Sequence, residues 1–234
     1  SLFGFALRDG TEDVKISTNG SKFNSDNSSI SFYNTWKPKD DNFIDTFLSF
    51  GETTQATRRV VDVANNTKVA GELKSQQIFG AVKYNFAKTF KDITFSNYSS
   101  LNFSYVMFDK YSETGDSNLK LSFDDRDLES TSLNLGTVIS SSLNFRKSML
   151  FPYLKIELNE DLSDSSTLKA NYLSSPSNQY TNNITKSFSS MVSVETGFDW
   201  NFDNGWDLTT TINRIDQDGI GHRNLLKFNA VRIF

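Results

Sequence analysis

Catalysis needs a nucleophile, a base or a metal, and this chain supplies few of them. His222 is the only histidine in 234 residues and there is no cysteine, so a His-pair metal site, a thiolate site and a disulfide are all excluded. His222 lies between Gly221 and Arg223 beside an expected turn and reads as an exposed strand-mouth residue. Gly219-Ile220-Gly221 lacks the third glycine and the strand-to-helix setting of a dinucleotide loop. Asp216-Gln217-Asp218-Gly219 hints at a calcium loop. Placing Gly219 sixth puts Arg214 first and Leu225 twelfth, where oxygen ligands are required, so the match fails. Asp124, Asp125, Asp127 and Glu129 form an acidic run that reads as a solvated loop. A serine hydrolase would need a Ser–His pair, and no Gly-x-Ser-x-Gly occurs. No catalytic residue, cofactor loop or metal site is expected.

What remains is electrostatic. Lys83, Lys155, Glu157, Glu195 and Asp199, with Asp45, are isolated charges inside otherwise apolar-patterned segments. Such charges matter only where an element aims them at a common space, so the elements come next.

Apolar residues are 37% of the chain, yet aromatics reach 14% with 21 Phe, which is not the composition of a disordered chain. The net charge of −4 offers no basic surface, so no nucleic-acid partner is expected. No apolar run is long enough for a membrane-spanning helix. Instead apolar side chains fall at every second position. Ile30, Phe32 and Trp36 oppose Ser29, Ser31, Thr35 and Lys37; Ile78, Val82, Tyr84 and Phe86 oppose Gln77, Lys83 and Asn85. Leu150, Leu154, Ile156 and Leu158 oppose Lys155 and Glu157, and Val192, Val194, Phe198, Trp200 and Phe202 oppose Ser193, Glu195, Asp199 and Asn201. Only extended chain alternates its faces in this way, so the fold class is all-β.

Ten strands are expected, at about 2–9, 28–37, 42–53, 73–86, 101–111, 131–143, 149–159, 189–202, 206–215 and 224–234. Many reach the roughly 9–11 residues that cross a bilayer core. Alternation alone fits either a soluble β-sandwich or a membrane barrel with an apolar outside and a polar lumen. The links favour the barrel. Long polar links at 17–27, 60–72, 112–130 and 160–188 alternate with short ones at 37–41, 146–148 and 203–205, with 87–100 as a long exception in the short series. Outer-membrane barrels have short periplasmic turns and long outer loops, whereas a sandwich has no reason to alternate. The expected architecture is an antiparallel up-and-down transmembrane β-barrel whose lumen takes the six charges named above. Trp36, Tyr153, Trp200 and Trp206 lie beside the short links, so those of them that face lipid should form an interfacial belt at that rim. The chain begins Ser1-Leu2-Phe3, with no initiator Met or signal peptide, and ends on Phe234 inside a strand.

At this point the chain resembles the translocator β-domain of autotransporters, the type V secretion family. Phe103 to Gly115 resembles the family's strand ending in Tyr-x-Glu-x-Gly, here Tyr111-Ser-Glu113-Thr-Gly115. Leu119–Gly136 is similar to the stretch that leads to a Leu-Gly in the following strand. Phe151-Pro152-Tyr153 resembles a Pro-Tyr strand opening, and Gly51 to Arg59 a stretch that leaves a strand and ends on Arg. The resemblance implies twelve strands with a helix in the pore, with Leu2–Leu7 as the third strand. The expectation is therefore a single barrel domain over 1–234 that is truncated at its N-terminus, the passenger and first strands lying upstream. A native ten-stranded barrel is the alternative.

The resemblance further implies a non-enzymatic protein of the bacterial outer membrane that anchors and helps export an N-terminal passenger. Its partners would be outer-membrane lipid, the barrel assembly machinery and its own passenger, without a cofactor. Glu113, inside the most family-like motif, becomes a further lumen candidate, and Phe234 the assembly signal. A porin-like solute channel and a soluble sandwich binding module are the rival readings.

Overall fold

The structure, a computed structural model, describes residues 1–16, 20–61, 67–115, 118–185 and 189–232. Phe234, the expected assembly signal, lies outside the described residues. Sixteen strands occur among them and no helix: β1 (Leu2–Lys15), β2 (Lys22–Lys39), β3 (Asn42–Val61), β4 (Thr67–Phe90), β5 (Ile93–Phe108), β6 (Tyr111–Ser112), β7 (Thr114–Gly115), β8 (Leu121–Phe123), β9 (Arg126–Ser141), β10 (Leu143–Phe145), β11 (Ser148–Asp161), β12 (Ser166–Tyr172), β13 (Ser175–Ile184), β14 (Ser190–Phe202), β15 (Trp206–Gln217) and β16 (Gly221–Arg232).

Ten of these form one antiparallel wall in the order β1-β2-β3-β4-β5-β9-β11-β14-β15-β16, with β10 added to β11 and β7 to β4. Each wall strand overlaps one expected strand, and neighbours in the wall follow one another along the chain in antiparallel pairs. Among the described residues no ladder joins β1 to β16, which are the two edges of the wall.

The wall strands are longer than alternation alone suggests. β3 runs 20 residues and β4 24, well past the roughly 9–11 that a bilayer requires. Their extra length mixes polar and apolar residues without a two-residue period, so it carries no alternation to read. This corrects the link at 87–100: β4 runs to Phe90, β5 starts at Ile93, and Lys91 (φ 54°) with Asp92 makes a two-residue turn. That link belongs fully to the short series. The expected long links at 112–130 and 160–188 also contain strands of their own, which build a second sheet in the order β13-β12-β8-β6.

Register fixes the faces. Val82 pairs with Thr46 and Leu101, and Ile156 with Val194 and Thr137, so apolar side chains from neighbouring strands stand on one face. Among the described residues that face has no apolar partner layer. Ile30, Phe32, Val82, Ile156 and Val194 are exposed, and Phe86, Leu154 and Phe198 are half-buried. Among the described residues the buried hydrophobic side chains are Val60, Val61, Val69 and Leu73 alone, all at the ends of β3 and β4 that face the long links. A sandwich of this size would hide its apolar face in a core; this sheet presents its apolar face outward, as a wall set in lipid does.

Candidate functional site

On the opposite face the polar register lines up across strands. Lys155 stands opposite Glu195 of β14 and Val138 of β9; Glu157 stands opposite Ser193 and Gly136; Lys83 stands opposite Asp45 and Ser100. The spacing of two that put Lys155 and Glu157 on one face of β11 also brings their heads together, Nζ to Oε2 at 3.0 Å. Tyr98 of β5 donates its hydroxyl to Glu157 Oε2, and Lys83 Nζ sits 4.6 Å from the centre of the same ring. Lys83, Lys155, Glu157 and Tyr98 thus form one cluster, lining a polar recess with Ser100, Asn102, Asn134 and Val138.

Tyr98 can lie across the wall because the residue directly opposite it is Gly136. A Cβ at Gly136 would fall inside the Tyr98 ring. The same pairing recurs between Tyr153 and Gly197, which stand opposite one another on β11 and β14. From there the Tyr153 hydroxyl reaches Glu195 Oε1 at 3.1 Å and Thr211 Oγ1 at 3.0 Å, while Asn213 Nδ2 donates to Glu195 Oε2 at 2.9 Å. Glu195 therefore belongs to a neutral hydrogen-bond set and Lys155 pairs with Glu157 instead. Asp45 accepts from Thr35 Oγ1 (2.7 Å) and Asn85 Nδ2 (3.0 Å), and Asp199 accepts from Thr209 Oγ1 (2.7 Å). Asp199 is exposed, near the short-turn end of β14. The arrangement offers hydrated, hydrogen-bonded charge along the polar face, and among the described residues no carboxylate or imidazole cluster could hold a metal.

Glu113 sits apart from these residues, in the single-residue gap between β6 and β7. It is buried, 7% exposed, and its two oxygens take Arg59 Nε at 3.1 Å and Arg59 Nη2 at 2.7 Å. Oε2 also accepts the Leu121 N–H at 2.8 Å, and the Glu113 N–H is donated to the Leu121 carbonyl at 2.8 Å. Arg59 shares its face of β3 with Asp45, and β7 pairs with β4 just beyond the end of the β5 ladder, so the Arg59–Glu113 pair spans β4 on the polar side of the wall. Tyr111, stacked on Phe123 at 4.6 Å between ring centres, lies where a Cβ at Gly71 would be only 3.0 Å away. Burial, with the Glu113 charge nearby, pushes the Tyr111 hydroxyl above its ordinary pKa.

Sequence reasoning missed Tyr98, Gly136 and the role of Arg59, since each partner lies on a different strand. It also placed Tyr153 with the rim tryptophans. Trp36, Trp200 and Trp206 do occupy the apolar face near the short turns, but Tyr153 is on the polar parity of β11, held by Glu195 and Thr211.

Comparison with known proteins agrees with this geometry. The family model described as the autotransporter beta-domain matches residues 1–213. Among solved structures, the translocator domain of the autotransporter NalP from Neisseria meningitidis aligns over 99% of this chain and 80% of its own, at 13% identity and a TM-score of 0.52. The RagAB peptide importer in its closed-closed state aligns over 97% of this chain but 32% of its own, at 8% identity and a TM-score of 0.52. No curated protein sequence matches. Such distant structural likeness speaks to the fold alone, whereas the family model spans nearly the whole wall. With its meandering ten-stranded wall, outward apolar face and opposing polar face, the chain belongs to the autotransporter beta-domain family, the outer-membrane β-barrel translocators of Gram-negative bacteria.

Proposed function

We propose that this wall anchors an N-terminal passenger in the outer membrane and assists its export through the polar lumen. The observation that carries the reading is the polar face itself. Lys83, Lys155, Glu157, Glu195, Asp199 and Asp45 share it, and each carboxylate among them is held by a neighbouring donor. A lumen of this kind offers water and balanced charge to a polypeptide without binding it tightly. The mechanism is physical: the wall satisfies its backbone groups within the sheet, and the lumen spares the passenger contact with lipid. Closure across the edges left by β1 and β16 would complete the barrel.

Membrane lipid, the barrel assembly machinery and the passenger are the partners in this reading, and Phe234 is the residue the machinery reads. Deleting Phe234 should lower insertion in cells far more than it lowers stability after refolding in detergent; unchanged insertion would remove its signal role. The export reading is tested with the full-length gene product in cells, by shaving the surface with protease and blotting for the passenger. Release of passenger fragments from intact cells is expected. A barrel that is heat-resistant and membrane-inserted while its passenger stays protected would overturn the export role and leave only the anchor.

A further inference from the structure

The recess lined by Lys83, Tyr98, Lys155 and Glu157 has a volume of about 550 Å3 and is built by β4, β5, β9 and β11. Every residue that lines it lies on the polar parity of its strand. Their sequence neighbours Val82, Leu101, Leu135 and Ile156 point the other way and are exposed on the apolar face. The recess therefore sits behind the lipid-facing band, at a depth where charge is kept only beside water or a partner.

The charges in the recess do not cancel. Glu157 is committed to Lys155 Nζ at 3.0 Å and to the Tyr98 hydroxyl. Lys83 rests over the Tyr98 ring and, among the described residues, forms no ion pair. Asp45 stands directly opposite Lys83, but its two oxygens are taken by Thr35 Oγ1 and Asn85 Nδ2. Two ammonium groups thus lie within 5.8 Å of the centre of one ring, against a single carboxylate lining the same space. Ser100 Oγ accepts from Asn134 Nδ2 at 3.1 Å, which leaves the Ser100 proton for another acceptor.

We infer that this recess is a binding site for a small oxyanion of the phosphate class, held by Lys83 with Lys155 and Ser100. The inference rests on the lumen reading above, which supplies the water and the access. An oxyanion suits the site because it offers several acceptor oxygens at once, and the donors come from β4, β5 and β11. Ammonium-to-oxyanion hydrogen bonds are charge-assisted and about twice as strong as neutral ones. Glu157 sets the affinity. Its charge opposes the anion, while its own bonds to Lys155 and Tyr98 keep it from taking Lys83.

The test titrates the full-length protein, refolded in detergent, with inorganic phosphate at fixed ionic strength and follows heat by calorimetry. Wild type should saturate, and sodium chloride in place of phosphate should give no saturation. Lys83→Gln should weaken binding roughly tenfold or more, since it removes the unpaired cation. Glu157→Gln keeps an acceptor for Tyr98 and removes the opposing charge, so it should tighten binding by about fivefold. No saturation by wild type, or equal affinity in all three proteins, would overturn the site. Conductance in planar bilayers separates this result from the lumen reading. Current without phosphate binding overturns the site and leaves the lumen; binding without current upholds the site and removes the lumen's role as a passage.

Discussion

Two glutamates in this protein are each paired with a cation, and they live in different physical worlds. Glu113 is 7% exposed, takes a two-pronged Arg59 and a backbone N–H, and stands where apolar Val69 and Leu73 are also buried. Glu157 keeps 22% of its side chain exposed and its partner Lys155 33%, on a polar face shared with Lys83 and Tyr98. The chemistry of the pair is nearly the same; the solvent is not. A buried carboxylate is costly to remove even though Arg59 itself stays 41% exposed, because the donors aimed at it lose hydrogen bonds. A pair in a wet lumen gives its ions back to water when it breaks, and contributes little to stability. The first can fix a structure, and the second can only tune a field.

The sharpest way to break the contrast is to remove the carboxylates one at a time. Glu113→Ala should weaken the segment held by Arg59 and the Leu121 N–H by about 1.5–3 kcal/mol, the range for hydrogen bonds to a charged group. Hydrogen exchange of the amides in 111–115 and 120–123 should accelerate while that of β11 and β14 does not; equal protection would deny Glu113 its structural role. A somewhat smaller loss is expected from Gly136→Ala. The new methyl displaces Tyr98, at a cost of about 1–2 kcal/mol for a strained contact, read as a lower urea midpoint in detergent. Tyr98→Ala in the same background should recover most of that loss, and failure to recover it would mean that Gly136 is needed for its backbone alone.

The smallest effect on stability should come from Lys155→Gln. Its loss should stay within about 1 kcal/mol, as for a solvated pair. The lumen would become more negative by one charge, so the reversal potential in a salt gradient should shift toward cation selectivity. A stability loss as large as that of Glu113→Ala would erase the distinction between the two pairs.

The legibility of the two regions follows the same line. The wall was readable because its information is local: alternation needs only neighbours in sequence, and Val194, Phe198 and Trp200 announce their face by spacing. The added lengths of β3, β4 and β5 were not, because residues there do not keep the two-residue period. A segment such as Ser96-Asn97-Tyr98-Ser99-Ser100 then reads as a loop although it is paired throughout with β4 and β9.

The sequence by itself determined the fold class, the number of wall strands, which parity is apolar and the presence of isolated charges opposite it. These follow from a two-residue period that every extended chain obeys. Only the tertiary structure decided which charges meet. Arg59 and Glu113 are 54 residues apart, Tyr98 and Glu157 59, Tyr153 and Thr211 58. Their meeting depends on the register of strands that are not neighbours in sequence, and a one-residue slip would turn each of them to the opposite face. Period is a property of the chain; register is a property of the sheet.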